Sequence, residues 1–360
     1  MKPIRRTLIL ASASLGVAVR AALGVLGVLG VLGVLGVVGT SQAQSAAKFP
    51  MKVAHLESPT QPRHQAFLKV AELVRTRTNG EVDMQLFPAG QLGSGRQIVE
   101  GVQFGTIEST MMPVSFIAGF NPSVSILDIP YLFPTDRAKS QQLRQSAFGK
   151  AVLESFNSRQ LLGLTLWPNG RKSLTSNKSL DKLEAMPGQK FRVMDSRILM
   201  EQFAAVGASA ITLAFNETYT ALQTGVVDGQ ENPLDSIATM KFFEVQKNLV
   251  VTEHGSMEDA FLVNPVWWNK LPQTHRDAIV KTLDEVRPQF EAMKEEAQRK
   301  ALEVIRASGK INVRVADEAE RTRLRDAMFS RARAAYLERS GAEGQKLAAL
   351  YEQELKKLGN

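Results

Sequence analysis

The chain contains no cysteine, which excludes a disulfide frame, a thiolate nucleophile, a zinc–thiolate site and a cysteine-ligated iron–sulfur cluster. It has four histidines, His55, His64, His254 and His275, and no two fall in an H-E-x-x-H or comparable metal spacing. No G-x-S-x-G elbow is present, so a hydrolase serine is unsupported. Gly93-Ser94-Gly95 opens like a dinucleotide loop, but Ile98 stands where the third glycine belongs. Thr165 takes the place of the leading glycine that a phosphate loop at Gly170-Arg171-Lys172-Ser173 requires. Aromatic residues make up 7% of the chain and do not alternate with a basic tract as in single-strand binders. An enzyme, a metal centre, a cofactor and a nucleic-acid partner therefore all lack a supporting pattern.

What is present is an ordinary globular composition, 44% hydrophobic and 22% charged over 360 residues, enough for about two domains. The formal charge of +8 is concentrated at the start. Lys2, Arg5, Arg6 and Arg20 fall in the first 43 residues, which hold no acid, so the remainder carries +4. A charge that mild does not select a polyphosphate partner. The basic start leads into an apolar stretch from Leu8, with a Leu-Gly-Val repeat over Leu23–Gly39, and then Ser41-Gln42-Ala43. This reads as a secretory signal over 1–43, cut before Gln44, and places the mature protein in the periplasm. The rival is a retained anchor over Ala21–Gly39, whose regular glycines weaken a spanning helix. Arg5-Arg6 keeps the twin-arginine route open beside the favoured general secretory route.

Beyond the leader the pattern alternates. A strand is expected over Met51–His55, a helix carrying Phe67, Val70, Leu73 and Val74 that stops at Asn79-Gly80, and a strand over Val82–Phe87. A glycine-rich loop then feeds a helix ending at Gly105. The rhythm returns with strands at Leu161–Trp167 and Lys190–Met194, a helix over Ser196–Val206 and a short one over Asn216–Thr224. Strand–helix alternation implies an α/β fold with parallel or mixed sheet. Ile279, Leu283, Val286, Phe290, Met293, Ala297, Ala301 and Ile305 form one stripe of a long helix, with Pro288 expected to kink it.

Phe191-Arg192-Val193-Met194, then Leu213-Ala214-Phe215-Asn216-Glu217-Thr218-Tyr219, then Ala221 through Pro233 with Asp228-Gly229-Gln230-Glu231-Asn232-Pro233, form an ordered series of motifs. With Phe243-Glu244-Val245-Gln246-Lys247 behind it, and weaker matches at Phe87–Gly93, Leu127–Phe133 and Trp167–Gly170, the series resembles the solute-binding proteins of TRAP (tripartite ATP-independent periplasmic) transporters. The resemblance runs from about Lys48 to the C-terminus. It implies a two-lobed periplasmic-binding-protein-like fold with hinge strands and a long helix spanning both lobes. Lobe 1 is expected over 44–169 with a return segment at about 258–297, and lobe 2 over 170–257 with the C-terminal helices of about 298–360. It further implies capture of a small organic acid, a dicarboxylate being favoured, and delivery to the membrane permease of a TRAP transporter, without catalysis. Alternatives are a receptor of another importer class, or a periplasmic enzyme or chaperone on the same scaffold.

By the same resemblance Arg192 pairs with the ligand carboxylate, a role that suits a guanidinium with two parallel donors. Asn232 donates an amide to that carboxylate, although Asn before Pro is also a common helix cap. Lys172 adds a second cation, with Arg171 as its one-residue rival and a solvated loop as the bland reading of both. Phe215 walls the pocket or packs in the core. His55 and Glu57, at the end of the first strand, and Ser115, after the third, are further ligand candidates from the other lobe. His64, His254 and His275 read as structural or surface residues, and Trp267-Trp268 as helix-start packing.

Overall fold

The computed structural model describes residues 47–182 and 185–359, so the export segment read over 1–43 lies outside the described residues. The chain opens with β1 (Phe49–Ala54), α1 (Pro62–Arg77), β2 (Val82–Phe87), α2 (Gly95–Phe104) and β3 (Ser109–Pro113), the alternation its sequence predicts. Pro62 occupies the first turn of α1, where a missing N–H leaves no helical bond unmade. Ser94 and Gln97 close a capping box on α2, and Gly105 ends that helix at φ 76°. Two 3₁₀ turns, Val114–Phe116 and Pro122–Asp128, lead to α3 (Arg137–Gln145) and α4 (Ala147–Ser155).

β4 (Leu162–Ser176) is longer than expected. The sequence pattern ends a strand near Trp167 and leaves Arg171-Lys172 in a loop. In the structure the strand runs on through Pro168 and Gly170, with irregular register at Gly163/Thr165 and again at Pro168/Gly170. Pro and Gly usually stop a strand, but a bulge absorbs both, and Gly170 takes φ 139° there.

After it come β5 (Lys190–Val193), α5 (Arg197–Ala204), β6 (Ser209–Thr212), α6 (Thr218–Gln223), β7 (Gly229–Pro233), α7 (Leu234–Thr239), β8 (Asn248–Val251) and β9 (Ser256–Val263). The chain closes with α8 (Pro265–Trp268), α9 (Gln273–Ala307), β10 (Asn312–Val315), α10 (Glu318–Arg339) and α11 (Gly341–Lys357).

Among the described residues the strands join in the order β2-β1-β3-β9-β4-β7-β5-β6, with β8 also on β4 and β10 on β8. β1 lies parallel to β2 and β3, and β5 parallel to β6 and β7, whereas β9 and β7 run antiparallel to β4. β4 links the two halves: its first part pairs with β9, and Lys172–Ser176 pairs with β7. All eight residues of β9 are buried, as befits a strand covered on both faces. On one face Phe67 of α1 stacks on Trp167 and Phe261, and Trp167 meets Phe290 of α9 at 4.8 Å between ring centres. A second cluster, with Leu222, Ile237, Phe242, Leu249 and Ile305, fills the other half beneath the far end of α9. This helix therefore packs on α1 and on α7.

α9 continues through Pro288 as one element. Its inward stripe matches the sequence pattern at Ile279, Leu283, Val286, Phe290, Ala301 and Ile305, but Met293 and Ala297 are only half-buried. Lys294 is the buried residue between them.

Candidate functional site

The register of the second half-sheet sorts the candidates. Arg192 of β5 stands beside Gln230 of β7, and Asn232 opposes Ser173 of β4. Because side chains alternate along a strand, Arg192, Gln230, Asn232 and Ser173 share one face. Lys172 and Glu231 occupy the opposite face and bond each other.

Arg192 is fully buried, and its Nε and Nη2 both donate to the carbonyl of Leu213, at 3.0 and 2.7 Å. No described carboxylate lies in ion-pair contact with it. Burial depresses its pKa to about 10, and the fields of Glu231 and Glu217 oppose that shift without cancelling it. It therefore remains a cation at neutral pH, desolvated and uncompensated, beside the Phe215 ring at 5.9 Å. A buried charge in that state is costly unless an anion joins it. Phe215 itself is half-buried in a 3₁₀ turn, edge-on to Phe242. Asn232 donates its amide to Gln230 Oε1, Gln230 donates to Thr175 Oγ1, and Thr175 donates to Gln246 Oε1. The chain of bonds holds the Gln-Glu-Asn segment in place under Arg192.

Lys172 is also buried, but its Nζ meets Glu231 Oε1 at 2.8 Å. Glu231 Oε2 accepts from Gln202 at 2.6 Å and from His254 Nε2 at 2.7 Å. Burial alone would raise the Glu231 pKa; the Lys172 ammonium and the His254 bond overcome it and hold it at about 2. Burial lowers the pKa of His254, so the imidazole is neutral, with Nε2–H toward Glu231 and Nδ1 accepting from Thr252 Oγ1 at 2.7 Å. Ser115 joins this cluster: its hydroxyl donates to Asp128 Oδ1 at 2.5 Å, and Asp128, its pKa raised by burial, feels the Lys172 charge.

His55 and Glu57 enter a third group, from the first half of the sheet. His55 is fully buried with Nε2 3.2 Å from His64 Nδ1, and its own Nδ1 has no hydrogen-bond partner. Burial, aided by the Arg63 charge, lowers its pKa to about 3, so it is neutral. Glu57 lies 3.3 Å from Arg63 Nη2 and 3.8 Å from Lys294 Nζ. Arg63 in turn clasps Asp259, which Asn169 also meets at 3.1 Å through both oxygens. Asn169 Oδ1 and Ser173 Oγ, like His55 Nδ1, are buried polar atoms that make no hydrogen bond to the described residues.

Arg171 joins none of these three groups. Its guanidinium donates to the carbonyls of Phe133 and Pro134. It borders two cavities of about 360 and 420 Å³, which share Thr135, Arg171 and Glu253. Of the rival pair, Lys172 is thus the residue tied to the hinge-side acid, and Arg171 braces the loop before α3. His254 bonds Glu231 in the Lys172 cluster and His64 lies against His55, structural positions among those the sequence left open to them. Lys294, Arg63 and Asp259 carried no motif. For Lys294 a signal existed, since it lies one helical step of four beyond Phe290, on the inward face.

The model of bacterial extracellular solute-binding protein family 7 matches residues 53–338. The chain belongs to that family. A curated relative, the C4-dicarboxylate-binding periplasmic protein DctP of Rhodobacter capsulatus, is 33% identical over 72% of this chain and 78% of its own. A TRAP periplasmic solute-binding protein from Desulfovibrio salexigens, solved with bound orotic acid, is 57% identical over 86% of this chain and 99% of its own, with a TM-score of 0.85. Another, from Shewanella oneidensis with bound succinate, is 28% identical over 85% and 99%, with a TM-score of 0.78. Family 7 proteins are solute-binding proteins, and their two-lobed α/β architecture is the one described above.

Proposed function

We propose that this protein is the periplasmic receptor of a TRAP transporter, closing its lobes on one small organic carboxylate anchored by Arg192 and handing it to the membrane permease. The observation that carries the reading is the buried guanidinium of Arg192, which makes two bonds to the Leu213 carbonyl and has no acid among the described residues in ion-pair contact. An incoming carboxylate supplies the missing charge, and closure strengthens the pair by removing water. Asn232 and Phe215 flank it; His55 and Glu57 face it from the other lobe, the lobes being those bounded near 169–170 and 257–258, with the long helix across both. Export by the segment 1–43 through the general secretory route, and binding without turnover, belong to the same reading.

The ligand we favour is a ring-bearing monocarboxylate of the orotate kind. Lys172, the cation available to a second carboxylate, is neutralised by Glu231 and lies on the opposite face from Arg192. The unpartnered Asn169 Oδ1, Ser173 Oγ and His55 Nδ1 suit a ligand with its own N–H and C=O groups. The 57% identity to the orotate-bound protein points the same way. A C4-dicarboxylate is the second reading, supported by the DctP relative and by Lys172 itself.

A thermal-shift panel of orotate, succinate, malate and a sugar acid separates the two. A ligand at 100 times its dissociation constant stabilises the fold by about 2.7 kcal/mol. Orotate is expected to raise the melting temperature more than succinate, and Arg192→Ala is expected to abolish the response. A response that survives in Arg192→Ala removes the anchor assignment.

A further inference from the structure

Lys294 is a lysine where an apolar residue would fit. It is 2% exposed, and its neighbours on the inward stripe of α9 are Phe290 and Ala301. Its ammonium lies 2.5 Å from Asp235 Oδ2 and 3.8 Å from Glu57 Oε1. Asp235 is in the first turn of α7, three residues beyond Asn232, on the second half of the sheet. Glu57 follows β1, on the first half. Through Glu57 the contacts continue to Arg63, from Arg63 to Asp259 of β9, and from Asp259 to Asn169 of β4. The chain of contacts thus touches both halves, both crossing strands and the long helix, and every member is buried.

Fold stability alone does not account for this arrangement. A buried ion pair contributes little net stability relative to well-packed apolar side chains of the same volume. The cluster also counts three carboxylates, Glu57, Asp235 and Asp259, against two cations, Arg63 and Lys294. One excess negative charge in a dry interior is a cost, and burial has pushed the Asp259 pKa up to about 6. Lys294 is where the charges of the two halves meet, adjoining Glu57, which the receptor reading places at the ligand, and Asp235, three residues beyond Asn232.

We propose that Lys294 is a positioning residue for ligand capture, clamping Glu57 of one lobe and Asp235 of the other, and that this clamp assembles as the lobes close. The proposal rests on the receptor reading above. In the open form the two carboxylates separate and each is hydrated; closing brings both onto one ammonium. Lys294 therefore acts on the ligand through Glu57 and through the Asn232–Asp235 segment, without touching it.

The test compares the full chain with Lys294→Met, Asp235→Asn and the double variant, titrated calorimetrically with orotate, alongside ligand-free melting temperatures. The clamp predicts that each single change weakens orotate binding about tenfold or more, that the double variant is no weaker than Lys294→Met, and that ligand-free melting temperatures barely move. Unchanged affinity in Lys294→Met overturns it. So does a parallel fall in ligand-free melting temperature, which would make the pair a support of the fold.

A wild type that ignores orotate refutes that ligand, and the titrations are then made with succinate; binding of neither acid removes the receptor reading and the clamp with it. The chain has no cysteine, so Arg75→Cys and Thr220→Cys carry spin labels, one per half. With whichever acid binds, the labels must approach in the wild type and remain farther apart in Lys294→Met; equal approach overturns the clamp.

Discussion

At the residue scale the molecule keeps two buried cations in opposite conditions. Arg192 donates to the Leu213 carbonyl and meets no carboxylate among the described residues, while Lys172 is bonded to Glu231, which is itself bonded to Gln202 and His254. The first is open to an anion; the second is a closed account of charge that holds β4, β7 and α5 together. Removing one member of such a pair strands the other. Glu231→Gln is therefore expected to lower stability by about 3–5 kcal/mol at pH 7, measured by urea denaturation. Its pH dependence has a definite sign. The Glu231 pKa is depressed from 4.5 to about 2 in the folded protein, so its stabilisation is complete above pH 4.5 and is lost as pH falls through 2. The gap between wild type and Glu231→Gln should accordingly narrow from pH 4.5 downward; a gap constant to pH 2 would contradict this assignment. Arg192 and Asn232 stand out in the sequence because a long ordered motif surrounds them. His254 stands in no motif, and Lys294 is marked only by its step of four beyond Phe290, a weak signal for a charged side chain.

At the element scale the crossing strand decides the site. Fifteen residues of β4 reach from one half-sheet into the other only because the bulge at Pro168/Gly170 keeps the chain extended past two residues that ordinarily end strands. Local propensity hides that continuation, which is why Arg171 and Lys172 read as a loop. The partner strand explains part of the motif. Gly229 lies so close to β4 that a Cβ there would sit 2.1 Å from the Thr175 carbonyl and 2.7 Å from the Phe191 ring. Backbone must move to admit it, and overpacking of this kind costs about 1–3 kcal/mol. Gly229→Ala is expected to destabilise the protein by at least that much and to weaken ligand binding, since the shift displaces Gln230 and Asn232 beside it. Equal stability and affinity in the variant would show that the β4–β7 ladder yields without consequence. The helices were read closely from their periodicity, because a stripe at steps of three and four is a property of sequence alone. The burial of Lys294 is a property of what lies opposite.

At the scale of the whole molecule, two half-sheets share one crossing strand and one long helix; the buried polar chain from Asn169 through Asp259, Arg63 and Glu57 to Lys294 spans them, and the Arg192 guanidinium lies on β5 of the second half. The proposed closure is a rotation of one half against the other about the elements they share, β4, β9 and α9. Ligand enters the energetics only through contacts that differ between open and closed forms, and the proposed function assigns the anchoring one to Arg192. The most direct test is small-angle X-ray scattering of the protein with and without saturating orotate, beside Arg192→Ala. The account predicts a smaller radius of gyration on ligand addition to the wild type and no change in Arg192→Ala. Compaction of the two alike, or of neither while heat shows that ligand binds, would contradict closure on a carboxylate held by Arg192.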